Sequence, residues 1–123
     1  MTAPAWMDAV VADFGRGAGL ESLSLGGRGA AALRFETGAS LRLEYTGAEL
    51  VMSVTFRCGD VKRLLSCSHP DARHGFAVRA AVLPRTQEGL LAVRLAERDV
   101  TLPQMSGVFG VLWRLAGEFG GAQ

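Results

Sequence analysis

Residues 30–57 read AAALRFETGASLRLEYTGAELVMSVTFR, and their hydrophobic period is two. Ala31, Leu33 and Phe35 alternate with Ala32, Arg34 and Glu36. Leu41, Leu43 and Tyr45 alternate with Arg42 and Glu44. Leu50, Met52, Val54 and Phe56 alternate with Val51, Ser53 and Thr55. Successive side chains of a strand point to opposite faces, so each run predicts a strand with one apolar face. Thr37-Gly38 and Thr46-Gly47 interrupt the alternation as turns. The stretch therefore predicts a three-stranded antiparallel meander, covered on one side.

The period is helical on both sides of this meander. Over residues 4–14, Trp6, Met7, Val10, Val11 and Phe14 share an arc at 3.6 residues per turn, with Asp8, Ala9, Ala12 and Asp13 opposite. Pro4 suits the first helical position, and Gly15, Gly17 and Gly19 read as the stop. After the meander, Asp60 is a plausible N-cap. Val61, Leu64 and Leu65 then make a narrow helical stripe that His69-Pro70 ends, and 70–75 reads as a loop. Alternation resumes through Phe76, Val78, Ala80 and Val82. After a polar loop PRTQEG from Pro84 it continues in Leu91, Val93 and Leu95. Pro103 opens a last helix. Its apolar residues, Met105 through Phe119, cover an arc of roughly 200°, wider than one packing face needs. The excess predicts a second contact, with a subunit or a ligand. Gly107, Gly110 and Gly117 oppose that helix by up to about 1 kcal/mol each relative to Ala.

The predicted order is α-β-β-β-α-β-β-α, an α+β chain with helices packed on a twisted antiparallel sheet. The 123 residues fit one domain, 1–123. Hydrophobic residues make up 49% and charged residues 20%, which excludes a disordered chain. No apolar run approaches the ~18 residues of a membrane span, and the start lacks a signal-peptide pattern, so the expected compartment is the cytoplasm. Net charge is +1, with the arginines spread singly beside acidic residues. A phosphate-tracking surface would need clustering, which argues against nucleic acid.

Chemistry-bearing residues are sparse. Cys58, Cys67, His69 and His74 fall within 17 residues, but their spacing departs from the close pairs of structural zinc sites. Cys67 and His69 lack an oxyanion donor or orienting carboxylate for nucleophilic catalysis. Gly15-Arg16-Gly17-Ala18-Gly19 follows a helix, whereas a dinucleotide loop follows a strand. The expectation is a protein that is not an enzyme, with no metal and no cofactor. Apolar residues remain in the opposite phase, among them Val51, Leu83, Leu90, Val111 and Trp113. Apolar patches of that kind mark partner sites.

Several segments together resemble the class I type III secretion chaperones, the Tir-chaperone-like family. FGRGAGLESLSL is similar to that family's entry after the first helix. RFETGASLRLEY with ELVMSVTF resembles its meander, VKRLL its middle helix, and DVTLPQMSGVFGVLWRLAGEF its closing strand, turn and helix. The similarity spans residues 6 to about 118. It implies a cytoplasmic homodimer that binds the extended N-terminal segment of a secreted effector without ATP and presents it to the secretion apparatus. It implies a dimer interface around Val61, Leu64, Leu65, Phe76 and Val78. It also implies an effector groove around Met7, Val10, Phe14, Met52, Val54, Phe109, Leu112 and Trp113. Family members are often acidic and this chain is not, which leaves a heterodimer open. A regulatory subunit of a secretion system and an unrelated α+β adaptor or sensor domain are the alternative readings.

Overall fold

The computed structural model describes residues 2–20, 23–59, 61–66 and 77–119. The predicted order is the observed one: α1 (Ala5–Gly17), β1 (Ala30–Arg34), β2 (Ser40–Tyr45), β3 (Glu49–Arg57), α2 (Val61–Ser66), β4 (Arg79–Leu83), β5 (Glu88–Ala96) and α3 (Leu102–Phe119). Short 3-10 turns at Gly26–Arg28 and Glu97–Asp99 precede β1 and α3. The five strands form one antiparallel sheet in the order β1-β2-β3-β5-β4.

Register sets the two faces of the sheet. Leu33, Leu41, Val54, Leu91 and Ala80 lie in one row; Ala31, Leu43, Met52 and Val93 lie in the next. Both rows point to the covered face. There α3 lies over β3 and β5, α1 packs beside α3, and α2 packs against β4 and α3. The core is contiguous and draws on every helix: Met7, Val11 and Phe14 from α1, Leu64 from α2, and Met105, Val108 and Leu112 from α3.

Turn chemistry follows the sequence. Gly38 (φ 92°) and Gly47 (φ 102°) take left-handed conformations that favour glycine. The Phe35 N–H donates to the Ala39 carbonyl at 2.8 Å and closes the first hairpin, so Phe35 is the first residue beyond β1. The last hairpin is tighter than predicted. Gln87, at φ 57°, donates to the Leu83 carbonyl at 2.8 Å, and only Pro84–Gln87 lie between strands. Glu88 and Gly89 belong to β5. A Cβ on Gly89 would meet the Phe56 ring at 2.8 Å and Leu64 at 2.9 Å, so those side chains occupy the space above the strand.

Four details of α1 differ from expectation. Pro4 precedes α1 as its N-cap residue, its carbonyl accepting from Met7 and Asp8. Gly15 does not stop α1, since it is buried inside it, where Leu23 and the Leu20 carbonyl come close. Gly19, at φ 77°, makes the exit. Asp8, placed by periodicity on the polar side, accepts from the Leu25 N–H at 2.9 Å and the Ser24 hydroxyl at 3.2 Å. It thereby clasps the segment leading into β1 against α1. Trp6 is 47% exposed, although it was placed on the apolar arc. At about 100° per residue it stands 100° away from Met7, outside the arc that Met7, Val11 and Phe14 bury.

The start of α3 is set by Thr101. Its hydroxyl accepts from the Gln104 N–H at 3.3 Å and its carbonyl from Met105 at 2.9 Å, satisfying donors that a helix start leaves free. The end of α3 is tied to β3, because the Gly59 N–H donates to the Phe119 carbonyl at 2.9 Å. At the other end of the sheet, the Tyr45 hydroxyl bonds the Gly47 carbonyl at 3.0 Å and Glu97 at 3.4 Å. Burial, then the Glu97 carboxylate, push the Tyr45 phenol up from its ordinary pKa. Asp60, Cys67, His69, His74, Phe76 and the 70–75 loop lie outside the described residues. The fourth strand, predicted from residue 76, begins at Arg79.

Gly15 and Gly110 test this packing in opposite directions. A Cβ on Gly15 would sit 2.8 Å from Leu23 Cβ and 2.9 Å from a backbone oxygen, whereas one on Gly110 meets nothing. Gly15→Ala is expected to destabilise by about 1–3 kcal/mol. Gly110→Ala is expected to stabilise by up to about 1 kcal/mol. Urea midpoints of the two variants give the comparison.

Candidate functional site

The site grows out of the wide apolar arc of α3. Measured round the helix from Leu112, Val111 stands near −100° and Trp113 near +100°. The residues that are buried, Met105, Val108, Leu112, Leu115, Ala116 and Phe119, occupy only about 100° in the middle of that arc. Val111 on one flank is half-covered and packs on the core. On the other flank Phe109 is half-buried, Trp113 is 37% exposed and Leu102 is 43% exposed. The excess predicted from sequence is therefore one-sided.

Aromatic rings organise that flank. Phe14, buried in α1, meets Phe109 edge-on with centroids 5.7 Å apart. Phe109 stacks with Phe35 at 6.3 Å and lies 5.8 Å from Trp113. Phe35 meets Trp113 edge-on at 4.7 Å. Such pairs contribute about 0.5–1.5 kcal/mol each beyond burial. The chain of rings runs from the core to the surface and fixes the Trp113 indole at the edge of an open cleft.

That cleft holds about 190 Å³. The β1–β2 turn supplies Thr37 and Ala39, the end of β3 supplies Phe56 and Arg57, and α3 supplies Trp113, Ala116 and Gly117. Gly117 follows Trp113 by one helical turn, and a Cβ there would meet nothing. The absent side chain keeps the cleft open beside the indole. Arg57 is exposed and stands at the rim. The walls are mostly apolar, with Thr37 and one cation at the edge, a lining that suits an apolar side chain of a polypeptide.

The residues assigned to an effector groove separate into two groups. Met7, Phe14, Met52, Val54 and Leu112 are at most 1% exposed, so they are core side chains and offer no surface to a peptide in this conformation. Val10 and Phe109 are half-buried at the margins of their helices, and Trp113 lines the cleft. Periodicity had no means of separating these groups, because core and groove residues are both apolar. Nothing in the sequence singles out Ala39 or Arg57; Thr37 reads there as a turn residue, Gly117 as a residue that opposes the last helix, and Phe35 and Phe56 as strand residues.

The dimer set divides in the same way. Leu64 is fully buried and Val78 is 6% exposed, whereas Val61 and Leu65 are 46% and 49% exposed. Phe76 lies outside the described residues. Cys58 is a half-buried free thiol. Among the described residues no group of His, Cys, Asp and Glu could hold a metal, and no helix is long and apolar enough to cross a membrane.

Comparison with known proteins places this architecture. Solved secretion-chaperone complexes share it. A chain of the ExsC–ExsE complex superposes with a TM-score of 0.76 at 20% identity, over 100% of both chains. A chain from the Yersinia pestis type III secretion chaperone SycH in complex with a stable fragment of YscM2 gives 0.69 at 19% identity, over 92% of this chain and 98% of that one. The HopA1–SchA chaperone–effector complex gives 0.72 at 12%, over 93% and 92%. These likenesses establish the fold of a type III secretion chaperone. The profile of the family described as type III secretory system chaperone SycN matches residues 6–119, and the chain belongs to that family. No curated protein matches the chain.

Truncating two rings of the quartet should separate support from surface. Phe14→Ala is expected to cost about 3–5 kcal/mol, as for a buried phenylalanine. Trp113→Ala is expected to cost only about 1 kcal/mol, the scale of its ring contacts. Equal losses in chemical denaturation would place Trp113 in the core.

Proposed function

We propose that the chain is a cytoplasmic chaperone that binds the extended N-terminal segment of a secreted effector and holds it for export without ATP. The observation that carries this reading is the Trp113 cleft, an apolar recess on the surface of a chain that belongs to a type III secretion chaperone family. An extended peptide gains main-chain hydrogen bonds by adding to a sheet edge, and its alternate side chains enter pockets. β1 is an edge strand with the sequence AAALR, and its turn into β2 supplies one wall of the cleft. A peptide on that edge would reach the cleft with an apolar side chain. Arg57 at the rim favours an acidic residue beside that side chain.

Solved relatives with this fold are described as complexes with such partners, including the HopA1–SchA chaperone–effector complex. That supports the partner class here. The tagged chain, drawn from its own bacterium, is expected to retain one secreted protein through its N-terminal segment. Trp113→Asp is expected to lose that protein while keeping the far-UV circular dichroism spectrum. Gly117→Leu is expected to raise helix stability by up to about 0.8 kcal/mol and yet also lose capture, because it fills the cleft. Undiminished capture by both variants would move the binding site elsewhere.

The chain further acts as a homodimer through α2. Val61 and Leu65 present apolar side chains to solvent from a six-residue helix whose other side buries Leu64. A second copy would cover them. Leu65→Asp is expected to halve the native mass in light scattering with the fold intact. Leu64→Asp is expected to unfold the chain, since it buries an unpaired charge. An unchanged mass for Leu65→Asp counts against this interface. A mass that already fits a monomer would point to a heterodimer.

A further inference from the structure

A second surface lies on the other side of the sheet and does not depend on the cleft. All three helices share the core of one face, and no described element packs on the opposite one. Register places Arg34, Arg42, Arg57, Arg79 and Arg94 on this open face, with Glu44, Glu49 and Glu88. Five cations against three anions leave +2 on one face, counting Arg57, which ends β3 and also reaches the cleft rim, whereas the whole chain carries only +1. Arg42 pairs with Glu44 at 3.8 Å and Arg94 with Glu49 at 3.5 Å. Arg34, Arg57 and Arg79 have no carboxylate partner among the described residues.

The shape of this face is set by one cross-strand row: Ala32, Arg42, Ser53, Ala92 and Arg79. Ser53 and Ala92 are the smallest side chains available short of glycine, and they sit on the two central strands. Val51, Thr55 and Leu90 continue that floor along β3 and β5, each half-buried, and it is bounded along the strands by Arg94 and Glu49 at one end and by Arg57 and Glu88 at the other. Strands lie about 4.8 Å apart, so Arg42 and Arg79 stand about 14 Å apart across the floor. An α-helix with its side chains is about 10–12 Å wide. A helix laid along β3 and β5 would rest on the small and apolar residues and meet an arginine on each side.

We propose that the open sheet face docks an acidic amphipathic α-helix of a partner protein. Its apolar stripe would cover Val51, Leu90 and Ala92, and carboxylates on its flanks would pair with Arg42 and Arg79. Charge complementarity selects this occupant. A polyphosphate would meet the arginines but leave the apolar floor uncovered. A second copy would bring two positive faces together. The small residues at the centre admit the close approach that a helix needs and that long side chains would block.

The test uses the full chain and a synthetic helical peptide with leucines at i, i+3, i+4 and i+7 spacing and glutamates on both flanks. A second peptide replaces every glutamate by lysine. Amide shifts in NMR are expected to map to β3 and β5 around Ser53 and Ala92, for the acidic peptide alone. Arg42→Glu with Arg79→Glu is expected to weaken binding about tenfold or more, and added salt to weaken it in the unaltered chain. Both arginines are exposed, so the double variant should fold; Arg79→Ser on the edge strand is the milder substitute. Capture through the Trp113 cleft should be unaffected by either. The proposal is overturned if shifts fall on α3, if the lysine peptide binds equally, if the double variant binds as before, or if this face pairs two copies in light scattering.

Discussion

The seating of α3 on β3 and β5 is the constraint from which the rest of this structure follows. Met105, Val108, Leu112, Leu115 and Phe119 are buried there, and a large apolar side chain contributes roughly 1.5–3 kcal/mol when buried. Gly107, Gly110 and Gly117 oppose the helix by about 1 kcal/mol each. Burial wins by a wide margin, even if the area-based figure is an upper bound. The helix can therefore carry glycines on its outer side, and one of them opens the cleft. α1 packs against the flank of α3, and α2 against its edge and β4.

The same seating explains why the cleft has a rigid wall. Trp113 stands outside the buried arc, so the core alone does not hold it. It is held by Phe35 and Phe109, and Phe109 by Phe14, which is itself locked in α1. A large exposed side chain that is fixed in this way loses little further rotamer freedom on binding, which lowers the cost of recognition. Core residues such as Phe14 thus act on the site only through other side chains. That is a different role from lining it.

Alternation and helical spacing made the element order legible, because periods of two and 3.6 are local properties. They also showed that the apolar arc of α3 was too wide for one contact. They did not show which flank of α3 stays open, since that depends on where α1 and the β1–β2 turn come to rest. Leu64 and Leu65 read alike in the sequence, and only packing against Phe56 and Gly89 buries the first and exposes the second. Met52 and Val54 read as groove residues for the same reason. Gly15 read as a stop because a glycine needed for close approach leaves no periodic trace. Asp8 read as solvated, although its partners lie 16 and 17 residues on in the sequence.

The two faces of the sheet show how one strand pattern serves two purposes. The covered face of β3 and β5 lies under the helices, so it is filled by Leu, Met, Val and Phe, with Gly89 where Phe56 and Leu64 close over the strand. The open face has no such constraint, and the solvated face of an antiparallel sheet ordinarily carries polar side chains. Here the centre is Ser53 and Ala92, with Val51 and Leu90 beside them and the arginines on the neighbouring strands or toward the ends of these two. Solubility alone gives no reason to keep the middle of an exposed face small and its cations at the sides. A body resting on that middle gives one, and its width and charge are then dictated by the spacing of the strands.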